Sequence, residues 1–166
     1  MLIDDAAHRA EQLLRGEDDT APDALSDAVR WLAAPAGLRH LPTVAASTGK
    51  SPVELRRLIV AYRHGGCAAV HAAEHPTDPD PEVLAAAAAA VRRARGGAGG
   101  TVVVEGNRLT DPGGRIQIRV GPDDRWHPFT ASGPHRDWQS AAGCSPDPAA
   151  AYGAALAALR ARPQYA

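Results

Sequence analysis

The chain has 166 residues, 45% of them hydrophobic and 4% aromatic, with a formal charge of −1 when its histidines are neutral. That length supports one ordinary domain or two very small ones with a core needing no staple, and the charge excludes a globally basic nucleic-acid binder, so any such binding must be local. No apolar run approaches the roughly 20 residues that cross a bilayer, and Met1-Leu2-Ile3-Asp4-Asp5 lacks the basic and apolar regions of a signal peptide; a cytoplasmic location, no membrane role and free thiols at Cys67 and Cys144 are therefore expected.

A first helix is expected from Asp4 to Arg15, with Ala7, Ala10 and Leu14 at helical spacing and Gly16 as its stop. An acidic linker, Glu17 to Asp23, leads to a second helix whose stripe is Leu25, Ala28, Val29 and Leu32 and which Pro35 and Gly37 end. Next come a short helix over Val44 to Thr48, a turn at Gly49-Lys50, and a longer helix from Pro52 to about His64. The start of that longer helix is strongly marked: Ser51 and Glu54 form a capping box and Pro52 occupies the first helical position. Leu55, Leu58, Ile59 and Tyr62 supply its buried stripe, and Gly65-Gly66 breaks or bends it. Asp80 before Pro81 announces an alanine-rich helix reaching Arg95, which the Gly96 to Gly100 tract stops.

Beyond that tract the period becomes strand-like, first over Thr101 to Glu105 and then over Arg115 to Val120, where Ile116, Ile118 and Val120 alternate with Arg115, Gln117 and Arg119. The latter reads as a half-exposed strand. Turns at Asp111-Pro112-Gly113-Gly114 and Gly121-Pro122-Asp123-Asp124 delimit an aromatic segment, Trp126 to Phe129, before a last strand around Trp138. Asp147-Pro148 opens a final helix with Tyr152, Leu156 and Leu159 on one face. The expected fold is α+β: a helical region over 1–95, and over 101–166 a three- or four-stranded antiparallel β-meander covered by the C-terminal helix.

Four constellations bear on function. The pair of helices between Leu41 and His64 fits helix-turn-helix spacing, with Ala45 four residues before Gly49. Arg39, Lys50, Arg56, Arg57 and Arg63 against the single acid Glu54 give this stretch about +4, so Lys50, Arg56, Arg57 and Arg63 are candidate DNA contacts; the plainer reading is a helical hairpin with solvated arginines. His64, Cys67, His71 and His75, spaced by three, four and four residues, are ligand types zinc prefers; the plainer reading is a small cysteine in the core beside partly exposed histidines. No Gly-x-Ser-x-Gly elbow and no phosphate loop is present, and Cys144 stands in a turn without an ordered base, so neither a catalytic residue nor a cofactor is assigned. Finally, Trp126, Phe129 and Trp138 with Arg119, Arg125 and Arg136 form a candidate protein-binding surface, since Trp and Arg dominate binding hot spots; otherwise these aromatics are the core of the sheet.

Ala61-Tyr62-Arg63-His64-Gly65-Gly66, Glu74-His75-Pro76, Asn107-Arg108-Leu109-Thr110, Ile116-Gln117-Ile118-Arg119, Asp124-Arg125-Trp126-His127-Pro128-Phe129 and Asp147-Pro148-Ala149-Ala150-Ala151 together resemble the C-terminal region of actinobacterial SWIM zinc-finger proteins, over roughly residues 25–160. The finger itself, Cys-x-Cys followed by Cys-x-His, is absent, so its metal ligands map onto no residue here. The resemblance implies an accessory portion engaged in DNA or protein interaction, in multi-component systems with AAA ATPase partners. The expectation is thus a non-catalytic interaction module for a protein partner, with a helix-turn-helix DNA-binding regulator as the first alternative and a histidine/cysteine metal protein as the second.

Overall fold

The capping box, the two Asp-Pro helix starts and the alternation around Ile118 each form the element they announce. The computed structural model describes residues 24–74, 79–96, 99–132 and 137–161; the helix expected over Asp4 to Arg15 and the acidic linker after it lie outside them. In chain order the elements are α1 (Ala24–Ala33), a 3-10 turn (Gly37–His40), α2 (Leu41–Thr48), α3 (Pro52–Glu74), α4 (Pro81–Ala94), strands β1 (Val103–Glu105), β2 (Arg108–Thr110), β3 (Ile116–Val120), β4 (Trp126–Ser132) and β5 (Asp137–Ser140), and α5 (Pro148–Ala161). The fold is α+β. No helix among the described residues is long and apolar enough to cross a membrane.

The chain divides into two compact units, Met1–His71 and Ala72–Ala166. In the first, α1 buries Ala28, Val29 and Leu32, α2 buries Leu41 and Val44, and α3 buries Leu55, Leu58, Ile59 and Ala61. The turn after α1 is sterically tight. Ala36 takes a left-handed φ of 62°, and a Cβ on Gly37 would lie 2.4 Å from the Trp31 carbonyl oxygen and 2.6 Å from that of Leu32, so only glycine lets the chain pass the end of α1. His40, buried, then stacks on Trp31 with ring centroids 4.3 Å apart.

In the second unit the five strands form an antiparallel meander in sequential order. One face carries Leu109, Ile116, Ile118, Val120 and Trp126, which share a core with Ala87, Ala88 and Val91 of α4 and Ala151, Tyr152 and Ala155 of α5. The helix α5 packs on β3 and β4, and α4 packs on α5. Both helices start as the sequence predicts: Asp80 Oδ1 accepts from Glu82 N at 2.9 Å and Asp147 Oδ1 from Ala149 N at 3.0 Å.

The chain divides by packing between His71 and Ala72, whereas the expected division was the glycine tract, with α4 on the helical side. The reason is α4's alanine face, small enough to lie close against α5 and share the core that α5 makes with the sheet. The meander also has five strands where three or four were expected, because the Asn107-Arg108-Leu109-Thr110 run forms its own strand. Gly106, at φ 54°, turns the chain between β1 and β2, and the Asn107 side-chain amide donates to the Val120 carbonyl at 3.0 Å, extending the β2–β3 ladder.

Pro128 lies within β4, a strand with neighbours on both sides, where a missing N–H would ordinarily cost a ladder bond. Its carbonyl accepts from Ala141 N at 2.9 Å, which places its nitrogen on the β5 side too. Pairing with β5 begins only at Phe129 opposite Ser140. The proline therefore stands where that ladder ends.

Candidate nucleic-acid interface

Gly49 is the pivot of the helix pair. It takes φ 74°, and its N–H donates to the Ala45 carbonyl at 3.0 Å, closing α2 with a left-handed cap. Thr48 Oγ1 then accepts from Lys50 N at 3.2 Å. The following residue caps α3 reciprocally: Glu54 N donates to Ser51 Oγ at 3.2 Å, and Ser51 N donates to Glu54 Oε2 at 3.0 Å. This is the expected capping box, and it has an electrostatic consequence. Glu54, the only acid in the sequence between Arg39 and His64, is turned back onto its own helix terminus.

At 3.6 residues per turn, Val53, Arg56, Val60 and Arg63 follow one another along a single side of α3. All four are exposed, Val53 at 57% and Val60 at 39%. Arg57, on the flank of this side, and Lys50, before the helix, are half-buried, and His64 is exposed. The buried stripe, Leu55, Leu58, Ile59 and Ala61, occupies the opposite side. The segment contributes +4 to a chain whose total is −1, so the remainder carries −5.

The metal constellation is not assembled among the described residues. Gly65 (φ −146°, ψ 16°) and Gly66 (φ 68°, ψ −160°) leave helical geometry, so the spacing that would align His64 with Cys67 and His71 on a continuous helix is broken between them. No three His, Cys, Asp or Glu of the described residues come together as metal ligands; His75 lies outside those residues.

The protein-binding surface expected on the sheet needs correction. Trp126, Phe129 and Arg119 are all buried. In a strand, residues three apart face opposite ways: Trp126, paired with Val120, enters the helix-covered core, while Phe129, paired with Gln117, lies on the other face. Arg119 shares that other face, its guanidinium carbon 4.3 Å from the Phe129 ring centroid. Its Nε donates to Gln117 Oε1 at 2.6 Å and its Nη1 to the Ala73 carbonyl at 3.1 Å, while Gln117 Nε2 donates to Thr110 Oγ1 at 2.9 Å. Burial first, then the charge of Arg108 in the facing register position, push the Arg119 pKa down to about 9, against the opposing effect of Glu74; the side chain still carries its charge at neutral pH. Gln117 and Arg119, expected on an exposed side of β3, are thus interior, whereas Arg115 is exposed. Of the remaining residues of that surface, Trp138 is half-buried, Arg125 is exposed, and Arg136 lies outside the described residues.

Sequence reasoning did not place His127 and Asn107 in the interior. Both are buried; His127 Nε2 is 3.1 Å from Asp123 Oδ1, which ties the β3–β4 turn to β4. The signal lay in register: His127 pairs with Arg119, and pairing is not visible in one strand alone. Cys144 is half-buried after β5, with Gly143 packed so closely on α5 that a Cβ there would lie 2.4 Å from the Ala154 methyl carbon.

No protein-family model, curated protein or solved structure matches the chain.

Proposed function

We propose that this protein binds duplex DNA through the helix-turn-helix formed by α2 and α3, with α3 as the element that enters the major groove. The observation that carries this reading is the exposed side of α3, where Arg56 and Arg63 stand two turns apart beside Val53 and Val60, while Glu54, the one acid of the sequence over 39–64, is used in the cap. Arginine and lysine supply the phosphate contacts that dominate affinity, and recognition helices of this motif present their N-terminal residues to base edges. Charge segregation favours the same orientation. The segment carries +4 while the rest of the chain sums to −5, so the net attraction to a polyanion is concentrated on this stretch.

The expected protein-partner role loses its principal support, since three of its six residues are interior and hold the sheet together. A contact through Trp138 and Arg125 remains as a second reading; it would show as a protein retained in pull-downs after nuclease treatment. The DNA reading is tested by fluorescence anisotropy with a labelled 20-base-pair duplex at low salt. Binding that weakens in Arg56→Ala and Arg63→Ala variants of unchanged thermal stability supports it, and absence of binding at about 50 mM salt removes it.

A further inference from the structure

Two valines on the exposed side of α3 are unexplained by phosphate contacts. Val53 is the second residue of the helix and its most exposed aliphatic group, and Val60 repeats its position two turns later. Elsewhere in this unit Val29, Leu32, Val44 and Leu55 are fully enclosed, and of the large aliphatics outside α3 only Leu38, in the turn after α1, is exposed among the described residues. Val53 precedes Arg56 by three residues, so an apolar tip and a guanidinium alternate along the side that carries the charge.

The major groove offers a matching chemistry. Its only apolar group is the 5-methyl of thymine, and small aliphatic side chains read it by contact. An arginine one turn further along can bond a phosphate or the edge of guanine without competing for that methyl group. A valine at the groove end of the helix cannot donate or accept a hydrogen bond, so it discriminates bases only through this methyl.

We infer that Val53 reads a thymine methyl group in the major groove, giving the protein a preference for thymine-containing duplexes over otherwise identical ones. The inference rests on the DNA-binding reading and goes further by naming the base and the side chain that meets it. Arg56 is the neighbouring positioning contact, and Val60 lies too far along α3, by about 10 Å, to serve the same base.

The test uses the full chain and two 20-base-pair probes of alternating sequence, one of dA and dT and the other with every thymine replaced by deoxyuridine. The phosphates and hydrogen-bonding edges are the same, and only the methyl groups differ. The parent protein should bind the thymine duplex about three- to tenfold more tightly, the effect of burying a methyl group or two. In Val53→Ala, whose exposed site and better helix propensity leave folding intact, the ratio should fall towards one, with the larger loss of affinity on the thymine duplex. Equal binding of both probes by the parent overturns the inference and leaves the DNA reading standing. A preference that persists undiminished in Val53→Ala overturns the assignment to this residue. Failure of the parent to bind either probe removes the DNA reading itself.

Discussion

If Lys50, Arg56, Arg57 and Arg63 each neutralise one phosphate, the logarithm of the binding constant should fall against the logarithm of salt concentration with a slope of about −3.6, at about −0.9 per contact. Raising the salt from about 50 to about 200 mM would then weaken binding about 150-fold. Arg56 and Arg63 are the two exposed cations of the set, so replacing both with alanine removes phosphate contacts without opening the core. The slope should drop to about −1.8, and the thermal midpoint should stay put because exposed substitutions of this kind change little. Anisotropy titrations at four or five salt concentrations, for the parent and the double variant, give both slopes. A double variant whose slope equals that of the parent would refute the placement of these arginines on the phosphates. So would a parent slope near zero, since it would mean no counterions are released.

Three further outcomes concern the fold that presents this face. Gly37→Ala should destabilise the protein by about 1–3 kcal/mol, read as a lower urea midpoint at unchanged m-value, because the added methyl collides with backbone rather than with a side chain that can swing away. Arg119→Lys should also destabilise, by about 2 kcal/mol, although the charge is kept: an ammonium cannot bond Gln117 and the Ala73 carbonyl together while lying over Phe129. Parent-like stability in urea would show that this buried fork is dispensable. His40 supplies a pH dependence. Burial and then the charge of Arg39 lower its pKa from 6.5, and its Nε2 accepts from Arg39 Nε at 3.2 Å, which requires the neutral ring. The unfolded chain takes up a proton that the folded chain resists, so the contribution is intact above the ordinary value and is lost as pH falls below it through the folded value. Urea unfolding at about pH 7.5 and about pH 5.5 should show a smaller acid loss in His40→Phe, which retains the stack on Trp31, than in the parent. Equal losses would dissociate His40 from the acid sensitivity.

The turn before α3 and the start of that helix were legible because their determinants are local. Ser51, Pro52 and Glu54 act within one turn of each other, and Ala45 reaches Gly49 across four residues, so their spacing alone sets the geometry. The same is true of Asp80-Pro81, Asp147-Pro148 and the kink at Gly65-Gly66, where backbone preferences act without help from distant residues. The failures were non-local. Trp126 and Phe129 belong to one short segment, and their chemistry gives no hint that one enters the helix-covered core while the other stacks beneath Arg119.

The sequence by itself determined where α3, α4 and α5 begin, where α3 bends and that a charged segment of +4 sits in an otherwise acidic chain, since each follows from short-range hydrogen bonding or from counting charges; the start of α2, at Leu41 rather than Val44, did not follow in this way. Only the tertiary structure decided that α4 packs on α5 and shares the core of the sheet, that Arg108 to Thr110 form an added strand, and that Arg119, with both its polarity and its charge, lies inside. Those outcomes depend on strand register and on which apolar faces meet. A guanidinium is driven inward only when other groups replace the water it gives up: here the Ala73 carbonyl from a distant helix, the Gln117 amide oxygen from its own strand and the Phe129 ring from the next strand.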